Sequence, residues 1–205
     1  MFEPGQIAAP AIMGLTIAIS LLGMFRLPEI INKFLFRPYY FLREGQYDTM
    51  VMSGFIHADI GHLLFNMFTF YFFAFPMERY IGTTRFVILY FFGLVTSHGC
   101  TWYKQRNNPD YASLGASGAI SAVLFAYIVY FPMTTLMIMP IPIPIPAVLF
   151  AVGYVGYSYW ASTQSRGRIN HDAHLCGALS GLAFVAATDP SAFVDLLRTV
   201  AAFLN

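Results

Sequence analysis

The sequence predicts an all-α polytopic membrane protein, a bundle of six transmembrane helices with an interfacial first loop. Three observations predict it. Hydrophobic residues make up 58% of the 205-residue chain and charged residues only 10%, against about a quarter in a soluble domain. Mean hydropathy is +0.61. Six apolar runs approach the roughly 20 residues that a spanning helix needs. A formal net charge of +1 supplies no basic field for nucleic acid.

The first run covers residues 8–25. Its N-terminal flank, MFEPGQIAAP, lacks the basic residues that open a signal peptide, so a retained span is expected. Residues 26–55 mix charge with Phe, Tyr, Leu and Ile. They are too polar to span and suit a segment lying in the interface. The second and third runs cover residues 61–80 and 84–103. The fourth, residues 114–131, stops at Pro132, and IMPIPIPIP follows. Alternating prolines forbid a helix there and favour an extended polyproline-like link. Residues 146–161 and 171–187 form the fifth and sixth runs. After Pro190, residues 191–204 read as a short amphipathic tail. No internal repeat or separate soluble domain is visible, so residues 1–205 are expected to form one domain. Cys100 and Cys176 lie in apolar stretches. They are expected to be buried thiols acting as small hydrophobes, and no zinc-type spacing links them.

Ionisable and strongly polar groups are costly inside a bilayer and point to function. His62 and Asn66 stand near the start of the second run, Ser117 near the start of the fourth, and His171, Asp172 and His174 at the start of the sixth. Six crossings put these starts on one side of the membrane, where His62, Asn66, Ser117 and His174 can meet in one cavity. His62 and Asn66 are four apart and share a helix face. They suit donation to an anionic oxygen, or equally a polar contact between helices.

Ser117 stands in Gly115-Ala116-Ser117-Gly118. These glycines let another backbone approach and let the chain bend into a helix. A serine in a small-residue packing stripe is the alternative. The helix after Gly118 is short, about 21 Å, so Ser117 is expected below the membrane surface behind a non-helical lead-in. His174, Gly177 and Gly181 share one helix face, as do Gly118 and Ala122. Two such faces allow the close approach that a Ser–His hydrogen bond requires. A neutral imidazole suits the task of taking the serine proton and returning it to a leaving amine. Asp172, two residues from His174, faces away on a helix and makes a poor third member, so a dyad is expected.

In order and spacing the residues resemble the rhomboid family of intramembrane serine proteases, in its six-helix form. The resemblance runs over residues 53–181. It is carried by His57…Gly61-His62-Leu63…Asn66, Glu78-Arg79-Tyr80-Ile81-Gly82…Phe86, Gly115-Ala116-Ser117-Gly118 and Ala173-His174-Leu175-Cys176-Gly177…Gly181. It implies a serine endopeptidase that cuts transmembrane segments of membrane proteins through an acyl-enzyme. No metal or other cofactor is expected. Ser117 would be the nucleophile, His174 the base, and His62 and Asn66 the oxyanion donors. His57 would belong to the first loop's hydrogen-bond framework, and Glu78 and Gly82 would be structural. Gly115, Gly118, Gly177 and Gly181 would support the site. Two departures stand out. Asp48-Thr49 replaces a Trp-Arg pair in the first loop, and Ser121 replaces an aromatic that stacks on the catalytic histidine.

The resemblance also implies a multi-pass protein of the bacterial cytoplasmic membrane with its site open to the far side. The cations oppose that orientation. Arg26, Lys33, Arg37, Arg43, Lys104, Arg106, Arg166 and Arg168 fall on the site side, against Arg79, Arg85 and Arg198 opposite, and positive loops face the cytoplasm. Without the first loop the count is four against three. The expected partners are the lipid bilayer and single-span or other transmembrane substrates. The competing reading is a silent relative that binds such clients without cutting them. A metal site built from His57, His62, His171 and His174 lacks a His-Glu-x-x-His pattern, and a transporter would be expected to show repeats.

Overall fold

The structure is a computed structural model that describes residues 7–138, 141–164 and 170–204. The chain is predominantly helical, and six of its helices overlie the six apolar runs with ends displaced by at most three residues. Helix α1 (Ala8–Phe25) buries Ala9, Ile12, Thr16, Ser20 and Gly23, the three-and-four spacing of a single face. Its first turn ends on Glu78. That carboxylate accepts the N–H groups of Ile7, Ala8 and Ala9 at 3.1, 2.9 and 2.8 Å and the Thr83 hydroxyl at 2.7 Å. It thereby satisfies donors that a helix start leaves open.

Between α1 and the next long helix lie α2 (Glu29–Phe34), α3 (Pro38–Arg43), α4 (Thr49–Met52) and a 3-10 turn over Ser53–Phe55. None is long enough to cross a bilayer. Asp48-Thr49 opens α4, and the Thr49 hydroxyl donates to the Gln46 carbonyl at 2.6 Å. The loop is fixed from outside by the Arg43 guanidinium on the Arg106 carbonyl at 2.8 Å and by Ser53 Oγ 3.3 Å from His98 Nε2. Buried His98 also packs on Phe36.

Helices α5 (Ile60–Ile81) and α6 (Thr83–Gln105) are separated by Gly82 alone. Its φ of 82° is a conformation that side-chain-bearing residues seldom adopt, which permits so tight a joint. Helix α7 (Ser117–Tyr130) is the central element. Of the thirteen residues after Ser117 all but Gly118 and Ser121 are hydrophobic, and all but Tyr127 and Tyr130 are buried, as expected for a helix without a polar side. Helices α8 (Ala147–Thr163) and α9 (His171–Thr188) pack beside it, and α10 (Ser191–Leu204) leaves α9 at 111°. Among the described residues α1, α5 and α6 are long and apolar enough to cross a membrane singly, and α7 is a shorter apolar helix.

Glycine contacts set the spacing of the centre. A Cβ at Gly177 or Gly181 of α9 would collide with the carbonyl of Gly118 or Ala122 on α7, and one at Gly93 of α6 would strike Ala122. Small residues let helix backbones touch, and dispersion then holds them where the hydrophobic effect cannot.

Two expectations are corrected here. The proline-rich link is extended but not free. Strands β1 (Thr135–Ile138) and β2 (Ile141–Pro146) form an antiparallel hairpin in which Leu136 pairs with Ile145 and Met137 with Pro144. Alternation explains why prolines are tolerated, because they remove donors from only one edge of β2. Met139 and Pro140 of that run lie outside the described residues, as do Arg166 and Arg168 of the charge count. The cysteines are not free thiols. Cys100 of α6 and Cys176 of α9 form a disulfide, with Cα atoms 6.5 Å apart. Both sit about five residues inside their helix ends, at matching depth, so the close packing of α6 on α9 brings them together.

Candidate active site

Residues 111–116 approach α7 as non-helical chain. Phe36 and Ser113 exchange both backbone hydrogen bonds, at 3.0 and 2.9 Å, and the Gly115 N–H donates to the Ser53 carbonyl at 2.8 Å. The first loop therefore braces the lead-in through backbone pairing. Gly115 has φ 109°, and a Cβ there would come within 2.9 Å of the His62 ring. Both its conformation and its crowding require glycine. Ser117 is the first residue of α7, so its own N–H belongs to the group that no helical carbonyl satisfies.

His174 stands in the first turn of α9. The helix begins at Asn170, whose side chain accepts the Ala173 N–H at 3.1 Å while its amide donates to the Thr101 hydroxyl of α6 at 2.8 Å. Asn170 is therefore the cap of α9. Asp172 turns to α6, where its carboxylate is 2.9 Å from Lys104 Nζ, and the His171 ring meets the His174 ring edge-on at 6.1 Å. Ser117 Oγ lies 2.7 Å from His174 Nε2. Side chains 57 residues apart are joined because α7 and α9 touch along their glycines.

His62 and Asn66 stand one turn apart on α5. Asp59 caps α5 by accepting the His62 N–H at 2.8 Å, and the His62 ring lies against Gly115, two residues before Ser117. Asn66 is buried, and its amide donates to the His62 carbonyl at 3.1 Å. A primary amide carries a second hydrogen. His57 is fully buried, edge-on to His62 at 4.8 Å, with Nδ1 3.0 Å from the Ser20 hydroxyl of α1. Burial first, and the neighbouring His62 second, lower its pKa to about 3, so His57 stays neutral at working pH.

The sequence reading left the imidazole without an aromatic neighbour, and α8 supplies one. The Tyr154 ring lies 6.5 Å from the His174 ring at 25°, and its hydroxyl is 2.8 Å from Ser121 Oγ. The residue standing where an aromatic was expected thus anchors one from the next helix. Three residues on, Tyr157 meets His171 edge-on at 5.5 Å. A tyrosine at position 154 of an apolar run was the available signal, since a hydroxyl withdrawn from water needs a partner. Which partner depends on how α8 is rotated.

A hydroxyl within hydrogen-bond reach of an imidazole, beside unpaired backbone N–H groups, has the parts for nucleophilic attack on a carbonyl. The model of the Rhomboid domain matches residues 44–189, well over half of the chain. The chain is similar to RHOMBOID-like protein 12, mitochondrial, of Arabidopsis thaliana, at 29% identity over 66% of the chain and 45% of that protein. It is 30% identical to Presenilin-associated rhomboid-like protein A, mitochondrial, of Danio rerio over 66% of the chain and 36% of that protein. With Rhomboid protein 1, mitochondrial, of Saccharomyces cerevisiae the identity is 26% over 85% of the chain and 51% of the relative. The chain thus spans about half, or less, of the length of these curated relatives.

Proposed function

Because the chain belongs to the rhomboid family, we propose that it is an intramembrane serine endopeptidase that cuts transmembrane segments with Ser117 as nucleophile and His174 as base. The observation that carries the reading is the 2.7 Å separation of Ser117 Oγ from His174 Nε2. Three helices able to cross a membrane, together with the family, make it an integral membrane protein. Our reading of the remaining long helices is that α7, α8 and α9 complete six crossings, with α7 starting below the surface. The relatives named above carry mitochondrial names and lend no support to the expected bacterial membrane.

In this reading the Ser117 proton passes to His174 Nε2 as Oγ attacks the scissile carbonyl. The resulting oxyanion meets the Ser117 N–H, with His62 and the free amide hydrogen of Asn66 as further donors. The imidazolium then protonates the leaving amine, and an acyl-enzyme remains on Oγ. Water, deprotonated by the same imidazole, releases the second product. With Asp172 held by Lys104, the Tyr154 ring and the packed first turn of α9 orient the base in place of a third acid. Ser117 and His174 are each partly exposed, as attack on a substrate and delivery of water require. The substrate segment must unwind at the cut, so small or helix-breaking residues there are favoured.

Labelling of the purified protein with a fluorophosphonate tests this against the silent relative. Wild type should label at Ser117 and cleave a single-span reporter in liposomes, and Ser117→Ala should do neither. Turnover by Ser117→Ala would refute the nucleophile.

A further inference from the structure

The Cys100–Cys176 disulfide stands at the base's own helix and has no part in the chemistry above. Cys176 follows His174 by two residues, about 200° round the helix. The bond therefore grips the side of α9 turned away from Ser117 and ties it to α6. Two other contacts close the same seam: Asn170 donates to Thr101 at 2.8 Å, and Lys104 pairs with Asp172 at 2.9 Å while also donating to the Ser162 carbonyl at 2.8 Å. On the neighbouring face, about 100° round the helix, α9 is pressed to α7, Gly177 against the Gly118 carbonyl. Ser97 of α6 lies at that same glycine, so α6, α7 and α9 meet at one point beside the Ser117–His174 pair.

We propose that the Cys100–Cys176 disulfide is a positioning element for His174, and that the enzyme's rate is set by its oxidation state. The inference rests on the proteolytic reading of Ser117 and His174. Of the three ties along the seam, the covalent one alone resists both sliding and rotation of α9. The Lys104 pair is partly exposed, and exposed ion pairs hold little. A dithiol reductant reverses the tie in two exchanges. Its thiolate attacks one sulfur to give a mixed disulfide, and its second thiol closes on that bond. Cys100 and Cys176 leave as thiols with two electrons and two protons gained, and the dithiol leaves as a cyclic disulfide. With the tie gone, small movements of α9 displace Nε2 from Oγ, and a displacement of about 1 Å suffices to cost about a hundredfold in rate.

The test uses the full chain in liposomes with a single-span reporter, before and after dithiothreitol, with the bond followed by maleimide mass-tagging. Reduction of wild type should lower kcat by about tenfold with KM little changed, and reoxidation should restore it. Cys100→Ser/Cys176→Ser should start at the lowered kcat and ignore the reductant. Hydrogen exchange at residues 173–177 should quicken on reduction, which reads the tie without reference to catalysis. Fully reduced wild type with unchanged kcat and unchanged exchange overturns the proposal, as does protein whose two thiols tag freely before any reductant is added. If no form cleaves the reporter or labels with fluorophosphonate, the proteolytic reading has failed, and the exchange result alone then decides whether the bond holds α9.

Discussion

The His174 imidazole is held on two sides: Ser117 Oγ lies 2.7 Å from Nε2, and the Tyr154 ring lies alongside at 25°. An aromatic face restricts how a ring can turn, whereas the Tyr154 hydroxyl binds Ser121. Tyr154→Leu should therefore lower kcat by about tenfold with KM nearly unchanged, and Tyr154→Phe should keep most of the rate. Equal losses in steady-state cleavage by the two variants would transfer the role from the ring to its hydroxyl. Asn66 occupies a different position, with one amide hydrogen on the His62 carbonyl and one left for a developing oxyanion. Asn66→Ala should slow cleavage by about a hundredfold without abolishing it, because the Ser117 N–H remains. An unchanged rate removes Asn66 from the reaction. The Ser117–His174 pair was legible in the sequence because glycine spacing marks where two helices touch. Tyr154 was not, because its partners belong to other helices and no spacing within α8 encodes their rotation.

Between α7 and α9 the contact is backbone on backbone, and substitution has nowhere to expand. Gly181→Leu, aimed at the Ala122 carbonyl, should cost at least about 1–3 kcal/mol and abolish fluorophosphonate labelling by separating the helices. Gly153→Leu on α8 is the control, because a Cβ there meets nothing within 4 Å. Thermal unfolding in detergent should show a lowered midpoint for the first variant and little change for the second. The helices themselves followed from hydropathy, with ends displaced by at most three residues. The hairpin did not, because TLMI gives β1 no alternation to distinguish it from helix and prolines argue against a paired strand. The disulfide was missed for a related reason. Cys100 and Cys176 lie in separate apolar runs, and only the packing of α6 on α9 makes them neighbours.

Six crossings would put the disulfide and the mouth of the site at one end of the molecule. Disulfides persist in oxidising compartments, which opposes the count of positive residues. Several of those cations are already engaged: Arg43 with the Tyr39 and Arg106 carbonyls, Arg37 with the Asn32 carbonyl, and Lys104 with Asp172. A reporter fused after Asn205 should accordingly reside on the reducing side, as green fluorescence with no alkaline phosphatase activity in matched fusions. The reverse pattern would restore the orientation that the charges favour. The other end of the molecule carries the carboxylate of Glu78, which collects three amides from the opening turn of α1. During synthesis that turn leaves the ribosome some seventy residues before its acceptor. Ser20 of the same helix can find Phe55 and His57 sooner, so α1 is first secured by its far end, and its opening turn is pinned only when α5 is nearly complete.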